Sequence, residues 1–223
     1  QFGKGDGEFD GPNGLVFDNE NNLYVVDHRN GRIQVFDEEG NFINKFSSQG
    51  ESEGKLNLPW GITFNSDDRL YVSDWGNHRI QEFTTNGEFI RSIGSKGDKE
   101  ENILHPSSCA IDDMGNIYVS DWGNHKLKVF DKEGDFLCSN RGEATLSEWA
   151  KDFLNTNVEE KKARLKSKLV FELESFKNDP FNESAHIEKL FWCPTSLTFH
   201  KGNLLIVDSS RHRIQVYNKV CKI

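Results

Sequence analysis

No apolar run in this chain approaches the ~18 residues that a membrane-spanning helix needs, so a helical membrane crossing is excluded. Cysteine is scarce, and Cys109, Cys138, Cys193 and Cys221 form no CxxC pair and no metal-finger spacing. Neither a zinc module nor a disulfide scaffold is indicated. That usage leans towards a reducing, cytoplasmic compartment and leaves the localisation itself open. Positive charge is in deficit, with 27 Lys and Arg against 36 Asp and Glu and a formal net charge of −9. A phosphate-backbone partner needs a positive face, so nucleic acid is disfavoured as a ligand. Phosphate loop, nucleophile elbow and HExxH motif are all missing. There is no secretory signal, and the chain begins at Gln1 without an initiator Met, which points to an N-terminal segment removed or omitted.

What is present is a 47-residue period. Pro12, Pro59 and Pro106 are evenly spaced, and so are Asp27, Asp74 and Asp121. The copies overlay as PNGLVFDNENNLYVVDHRNGRIQVF, PWGITFNSDDRLYVSDWGNHRIQEF, PSSCAIDDMGNIYVSDWGNHKLKVF and, from Pro194, PTSLTFHKGNLLIVDSSRHRIQVY. Each reads as an apolar run, a polar turn, a second run such as LYVV, another turn and an alternating strand such as RIQVF. In the first three a hairpin (EEGNFI, TNGEFI, KEGDFL) adds a fourth strand. Four short antiparallel strands in about 45 residues is the size of one propeller blade, and one such unit cannot bury its own apolar face. The repeats fall at about 9–50, 56–97, 103–140 and 192–221 of a single domain.

The recurring YVxDxxxNH pattern resembles the NHL repeat family, named for an Asn-His-Leu signature. It appears here as Asn77-His78-Arg79, Asn124-His125-Lys126 and, with its Asn replaced, Arg211-His212-Arg213. The first copy departs further, with Asn30-Gly31-Arg32. The resemblance implies an all-β propeller, typically six-bladed, used mostly as a binding platform and in a minority of cases as a lyase or hydrolase. Gln1–Gly11 reads as the loop that follows a fourth strand, comparable to Gly94–Asp98, while the last repeat stops at YNKVCKI without a clear fourth strand. Four repeats where about six close a ring lead us to expect a fragment of a longer propeller, with an open edge available for self-association.

Positions alike in every copy serve the blade, and positions that differ are free to serve a ligand. On that rule the repeated Asp27, Asp74, Asp121 and Asp208 accept backbone N–H bonds and fix the hairpin to the third strand. His78, His125 and His212 are hydrogen-bonded between neighbouring strands. A carboxylate ring holding Ca²⁺ is the competing reading of the Asp set. The variable turns offer His28, Arg29, Trp75, Trp122 and Ser209 for recognition, with Trp60 among Asn13, Ser107 and Thr195 at the start of the innermost strands. The Trp side chains equally suit packing on the adjacent blade. At the other end of those strands stand Asp18, Asn65, Asp112 and His200. Asp18, Asp112 and His200 are the weak candidates for a channel metal, Ca or Zn, in a lyase or hydrolase, and no cofactor is otherwise expected.

Between the third and fourth repeats the spacing rises from 47 to 88 residues, placing a helical insertion at about 143–191. Thr145-Leu146-Ser147-Glu148 has capping-box form before Leu146, Trp149, Ala150, Phe153 and Leu154 on one face. A second helix starts at Asn157 and carries Leu165, Leu169, Leu173 and Phe176, with Asn178-Asp179-Pro180 as its stop, and a third runs from Asn182 to about Phe191. These faces brace the propeller or dock a partner. The cluster Lys161, Lys162, Arg164, Lys166 and Lys168 reads as a solvated face laced with ion pairs, the alternative being an anionic-ligand site. The residues favour a non-catalytic scaffold for a protein, peptide or small ligand. A channel-site metal enzyme and the interaction arm of a larger signalling or ubiquitin-ligase-like protein are the alternatives.

Overall fold

The computed structural model describes residues 1–97, 99–144, 148–166 and 179–218. Four antiparallel sheets follow one another along the chain. Blade 1 contains β1 (Pro12–Phe17), β2 (Leu23–Asp27), β3 (Arg32–Phe36) and β4 (Phe42–Phe46), and blade 2 contains β5 (Ile62–Phe64), β6 (Leu70–Asp74), β7 (Arg79–Phe83) and β8 (Phe89–Ile93). Blade 3 contains β9 (Pro106–Ile111), β10 (Ile117–Asp121), β11 (Lys126–Phe130) and β12 (Phe136–Asn140). Blade 4 shows three strands among the described residues, β13 (Pro194–His200), β14 (Asn203–Asp208) and β15 (Arg213–Tyr217). Within each blade consecutive strands are neighbours. The first turns are closed by side chains: Asp18 accepts from the N–H of Glu20 and Asn22, and Asp112 from those of Met114 and Asn116. That is the Asx geometry that makes Asp and Asn turn residues.

The blades stack face to face through three apolar layers. Tyr24, Val26, Ile33 and Val35 of blade 1 meet Leu70, Val72 and Phe83 of blade 2, with Ile62 and Phe64 packed alongside. Tyr71 and Ile80 of blade 2 meet Cys109, Ile117, Val119 and Phe130 of blade 3. Ala110 and Leu127 of blade 3 meet Leu197, Leu204 and Ile206 of blade 4, over Phe191. Cys109 is the small buried apolar residue its repeat position implies, and burial pushes its thiol up to about 12. The innermost strands touch in the order β1, β5, β9, β13. The loops entering the blades share one form: parallel bridges join Phe2 to Phe9, Gln49 to Leu56 and Lys96 to Ile103, so Gln1–Gly11 is such a loop.

The insertion supplies α1 (Glu148–Thr156), α2 (Val158–Lys166) and α3 (Pro180–His186). Thr145, Leu146 and Ser147 of the capping box, and Lys168, Leu169, Leu173 and Phe176, lie outside the described residues. On α1 Leu154 is buried while Phe153 is 46% exposed, and on α2 Leu165 is 77% exposed. In the basic cluster, Lys162 pairs with Glu159 and Arg164 with Glu188. The third helix corrects the sequence expectation at both ends. Asp179 caps it by accepting the N–H of Asn182, and Pro180 occupies the first turn, so the Asp-Pro pair begins this helix, while the stop expected for the second helix at Asn178 lies outside the described residues. The helix ends where Ile187 turns extended (φ −95°, ψ 101°), and Ile187, Leu190 and Phe191 are buried. Cys138 on β12 is disulfide-bonded, which the cysteine spacing did not indicate.

The inner strands approach closely where side chains are small. A Cβ on Gly61 would lie 2.7 Å from Ser107 O and 2.8 Å from Ser108 Cα, both backbone atoms of β9. Gly61→Ala therefore forces blades 2 and 3 apart and is expected to cost about 2 kcal/mol, read as a lower urea midpoint at unchanged slope. An unchanged midpoint would show that this approach is not needed.

Candidate functional site

At the end of each second strand a fully buried Asp gathers donors. Asp74 accepts the N–H of Asn57 at 2.7 Å, Nδ2 of Asn77 at 2.8 Å, Nε of Arg79 at 2.8 Å and Nε2 of Gln81 at 2.9 Å. Asp27 does the same with the Asp10 N–H, Asn30, Arg32 and Gln34, and Asp208 with the Trp192 N–H, Arg213 and Gln215. The backbone donor comes from the loop that enters the blade, not from the hairpin to the third strand. The same Asn, Arg and Gln reach on to that loop: Asn77 donates to Gly50 O, Arg79 to Ser52 O and Lys55 O, and Gln81 to Lys55 O. Blade 3 replaces the Gln by Lys128, whose Nζ lies 3.1 Å from Asp121 with both side chains fully buried. In blade 4 Arg211 stands for the Asn and donates to Ser184 O and Ala185 O, so α3 occupies the place of the entering loop. Burial pushes the carboxyls of Asp74 and Asp121 up from their ordinary value, against the pull of these donors.

The signature His closes the short turn that follows. His78, His125 and His212 adopt left-handed backbone (φ 58°, 53° and 51°), and the first copy has Gly31 there (φ 62°), a residue with no Cβ to strain. Gly31 is also pressed against Gln49, with a Cβ position 2.7 Å from Gln49 Cα. His78 Nδ1 accepts the N–H of His105 at 3.1 Å, and His125 Nδ1 that of Cys193 at 3.0 Å. The acceptors face the residue before the next blade's Pro, so these rings bond blade to blade. Burial, with His105 and Lys96 nearby, pushes His78 down to about 4, and burial does the same to His125, aided by Arg141.

The variable positions form a half-buried aromatic row across three blades. His28 meets Trp60 at 6.3 Å, Trp60 meets Trp75 at 6.1 Å, Trp75 stacks on His105 at 3.9 Å and lies 6.2 Å from Trp122. Nδ1 of His28 donates to Pro59 O and Nδ1 of His105 to Trp75 O, which orients both rings. His105 is the member that sequence reasoning missed; its signal was only a ring-bearing residue before a repeated Pro. Arg29 is exposed and pairs with Asp10 at 3.4 Å, and Ser209 Oγ donates to Cys193 O. Trp60 also lines a groove of about 480 Å³ between the innermost strands, together with Asn13, Ser107 and Thr195 and no charged side chain.

The channel-metal candidates are not drawn together. Asp18 and Asp112 are engaged by their own turns, Asp112 also by the Tyr118 hydroxyl at 3.1 Å, and His200 is exposed. Among the described residues no three His, Cys, Asp or Glu side chains are grouped as a metal ion would require.

Radially stacked four-stranded blades with inner strands around a groove define a β-propeller architecture. The NHL repeat model matches residues 9–36, 56–83, 104–130 and 191–217, and the chain belongs to the NHL-repeat family. The Caenorhabditis elegans protein lin-41 is 46% identical over 43 residues, which are 19% of this chain and 4% of that protein. Among solved structures, a Bacteroides thetaiotaomicron protein of unknown function superposes with TM-score 0.61 at 16% identity, over 92% of this chain and 46% of its own. Virginiamycin B lyase from Staphylococcus aureus superposes with TM-score 0.54 at 12% identity, over 92% of this chain and 55% of its own. The chain spans about half the length of these structures, and the likeness is one of fold.

Two outcomes follow from the knots and the histidines. Asp74→Ala leaves Arg79, Asn77 and the Asn57 N–H facing a void and is expected to cost about 3–5 kcal/mol, measured by chemical denaturation; a loss below about 1 kcal/mol would show the knot to be dispensable. His78 and His125 have folded pKa values near 4 against 6.5 unfolded, so the unfolded state takes up protons first on acidification. Their contribution to stability is complete above about pH 6.5, falls between 6.5 and 4 and is level below. The raised carboxyls of Asp74 and Asp121 act in the opposite sense, so the difference between variants is the reading to take. His78→Asn with His125→Asn keeps an acceptor and tolerates left-handed backbone, and should flatten the melting temperature across that window relative to wild type.

Proposed function

We propose that this propeller is a non-catalytic binding platform, and that the turn end carrying His28, Arg29, Trp60, Trp75, Trp122 and Ser209 recognises a protein or peptide. The carrying observation is the aromatic row: three half-buried Trp rings tilted against one another at 6.1 and 6.2 Å, flanked by hydrogen-bonded histidines and continuous through Trp60 with the groove. Rigid aromatic area of this kind binds at low entropic cost. The groove lining is uncharged and mixes Ser and Thr hydroxyl groups with apolar side chains, which suits an extended peptide better than an ion. The NHL repeats and the lin-41 likeness fit a protein-interaction role. The likeness to a lyase is of fold and supplies no catalytic residues to this chain.

The test is peptide-display selection on the immobilised chain, followed by calorimetry of the selected peptides. Trp60→Ala and Trp122→Ala should each weaken binding at least tenfold, about 1.4 kcal/mol, with cooperative melting retained. Peptides that bind both variants as tightly as wild type would place recognition on another face.

A further inference from the structure

At the end of the blades opposite the aromatic row, two successive blade-to-blade gaps are closed differently. Between blades 2 and 3 the chain fills the gap itself. Arg91 of β8 donates from Nε to Glu82 of β7 at 2.6 Å, and from Nη2 to Lys132 O at 2.7 Å, in the turn between β11 and β12 of the next blade. Burial works against the charged guanidinium, yet Glu82 and the Tyr71 side chain outweigh it and push the Arg91 pKa up.

One 47-residue period back, Tyr24 stands for Tyr71, Val35 for Glu82, Asn44 for Arg91 and Thr85 for Lys132. The ion pair is gone, and a cavity of about 350 Å³ lies between β4 of blade 1 and the β7–β8 turn of blade 2. The equivalent carbonyl is still there, where Thr85 O accepts the Tyr24 hydroxyl at 3.2 Å. Asp18 and Glu20 from the first turn of blade 1 and Asp68 from that of blade 2 line the space, together with four Asn side chains and no Lys, Arg or His. Burial first, and then Asp18, Glu20 and Asp68, push the Tyr24 hydroxyl up to about 12, so the three carboxylates act on one place. Among the described residues no such side chains are grouped closely enough to hold a metal ion. Acceptors spread round a space of this kind match a planar cation with several N–H donors better than a point charge.

We infer that this cavity binds the guanidinium of an arginine side chain presented by a peptide ligand, in the place that Arg91 fills one blade further on. The occupant is named by the equivalent gap, in which a guanidinium reaches the same carbonyl position. The charged head meets Asp18, Glu20 and Asp68, its N–H groups reach Thr85 O, and its methylenes lie along Tyr24, Val35 and Ile43. The site is bounded by blades 1 and 2 alone and is independent of the Trp row.

The test titrates Nα-acetyl-arginine amide into the isotope-labelled full chain at low ionic strength and follows the Asn side-chain amides by NMR. Saturable shifts are expected at Asn22, Asn44 and Asn86. The lysine analogue, which lacks the planar fork, should bind roughly tenfold more weakly, and the uncharged citrulline analogue should give no saturation. Glu20→Gln with Asp68→Asn removes two charges at exposed positions and keeps an acceptor for Asn19, so melting is retained while arginine binding falls roughly tenfold. Asn44→Arg, which supplies the residue of the filled gap, should occupy the cavity from within and abolish binding of the amide. The proposal is overturned by a titration without saturation, by a citrulline analogue that binds as well as arginine, by either variant binding as tightly as wild type, or by calcium saturating the same residues where arginine does not.

Discussion

Four buried carboxylates, Asp27, Asp74, Asp121 and Asp208, bind each blade to the segment that enters it, and the array depends on that link. The apolar layers between blades are non-directional and would tolerate sliding of one sheet on the next. A carboxylate that must collect a backbone N–H from the entering loop and side-chain donors from its own third strand admits one arrangement. Burial acts against the ionised form, which is why Asp74 and Asp121 are pushed up. The site is maintained because the donors are strands and turns already fixed by the fold.

Variation among the copies follows from this link. Blade 3 exchanges the Gln for a fully buried Lys128 that reaches Asp121 and, past it, the carbonyls of Lys99 and Asn102, so the loop is held by a cation where the others use an amide. Blade 4 exchanges the Asn for Arg211, long enough to reach the carbonyls of α3 and to lie over Trp192 at 5.4 Å. The insertion thus enters the propeller through the same socket as an ordinary loop. The inner end of that connection, Leu190 to Trp192, remains a blade-entering segment that donates to Asp208 and accepts from Arg213.

The blade order was legible because it is a local pattern repeated at a fixed period, and the recurring Asp and His stood out by the same period. The partners were less so. Asp74 bonds Asn57, 17 residues back, and Asn77 bonds Gly50, 27 residues back, and no short window joins them. The substitution of Gly31 for the signature His shows the same limit: it looks like a lost side chain, and in the structure it keeps the left-handed turn while relieving a contact with Gln49. The start of the third helix, expected at Asn182, lies at Pro180, because an Asp-Pro pair that can follow one helix can also cap the next, and the Asn182 N–H completes that cap. The Trp positions were visible as departures from the repeat, but His105, which stacks between Trp75 and the next blade, carried no periodic signal.

The same periodicity separates the two kinds of exposed apolar surface. Trp60 differs from its counterparts Asn13, Ser107 and Thr195, and Trp75 and Trp122 share one repeat position that holds His28 and Ser209 in the other two copies. Ile214 and Val216 do not differ; they match Ile33 and Val35 residue for residue, and in blade 1 those residues are 0% and 4% exposed. A position that keeps its aliphatic identity still follows the pattern of the blade, whereas a position that changes identity does not. The turn-end aromatics are thus departures from the repeat, while Ile214 and Val216 remain within it.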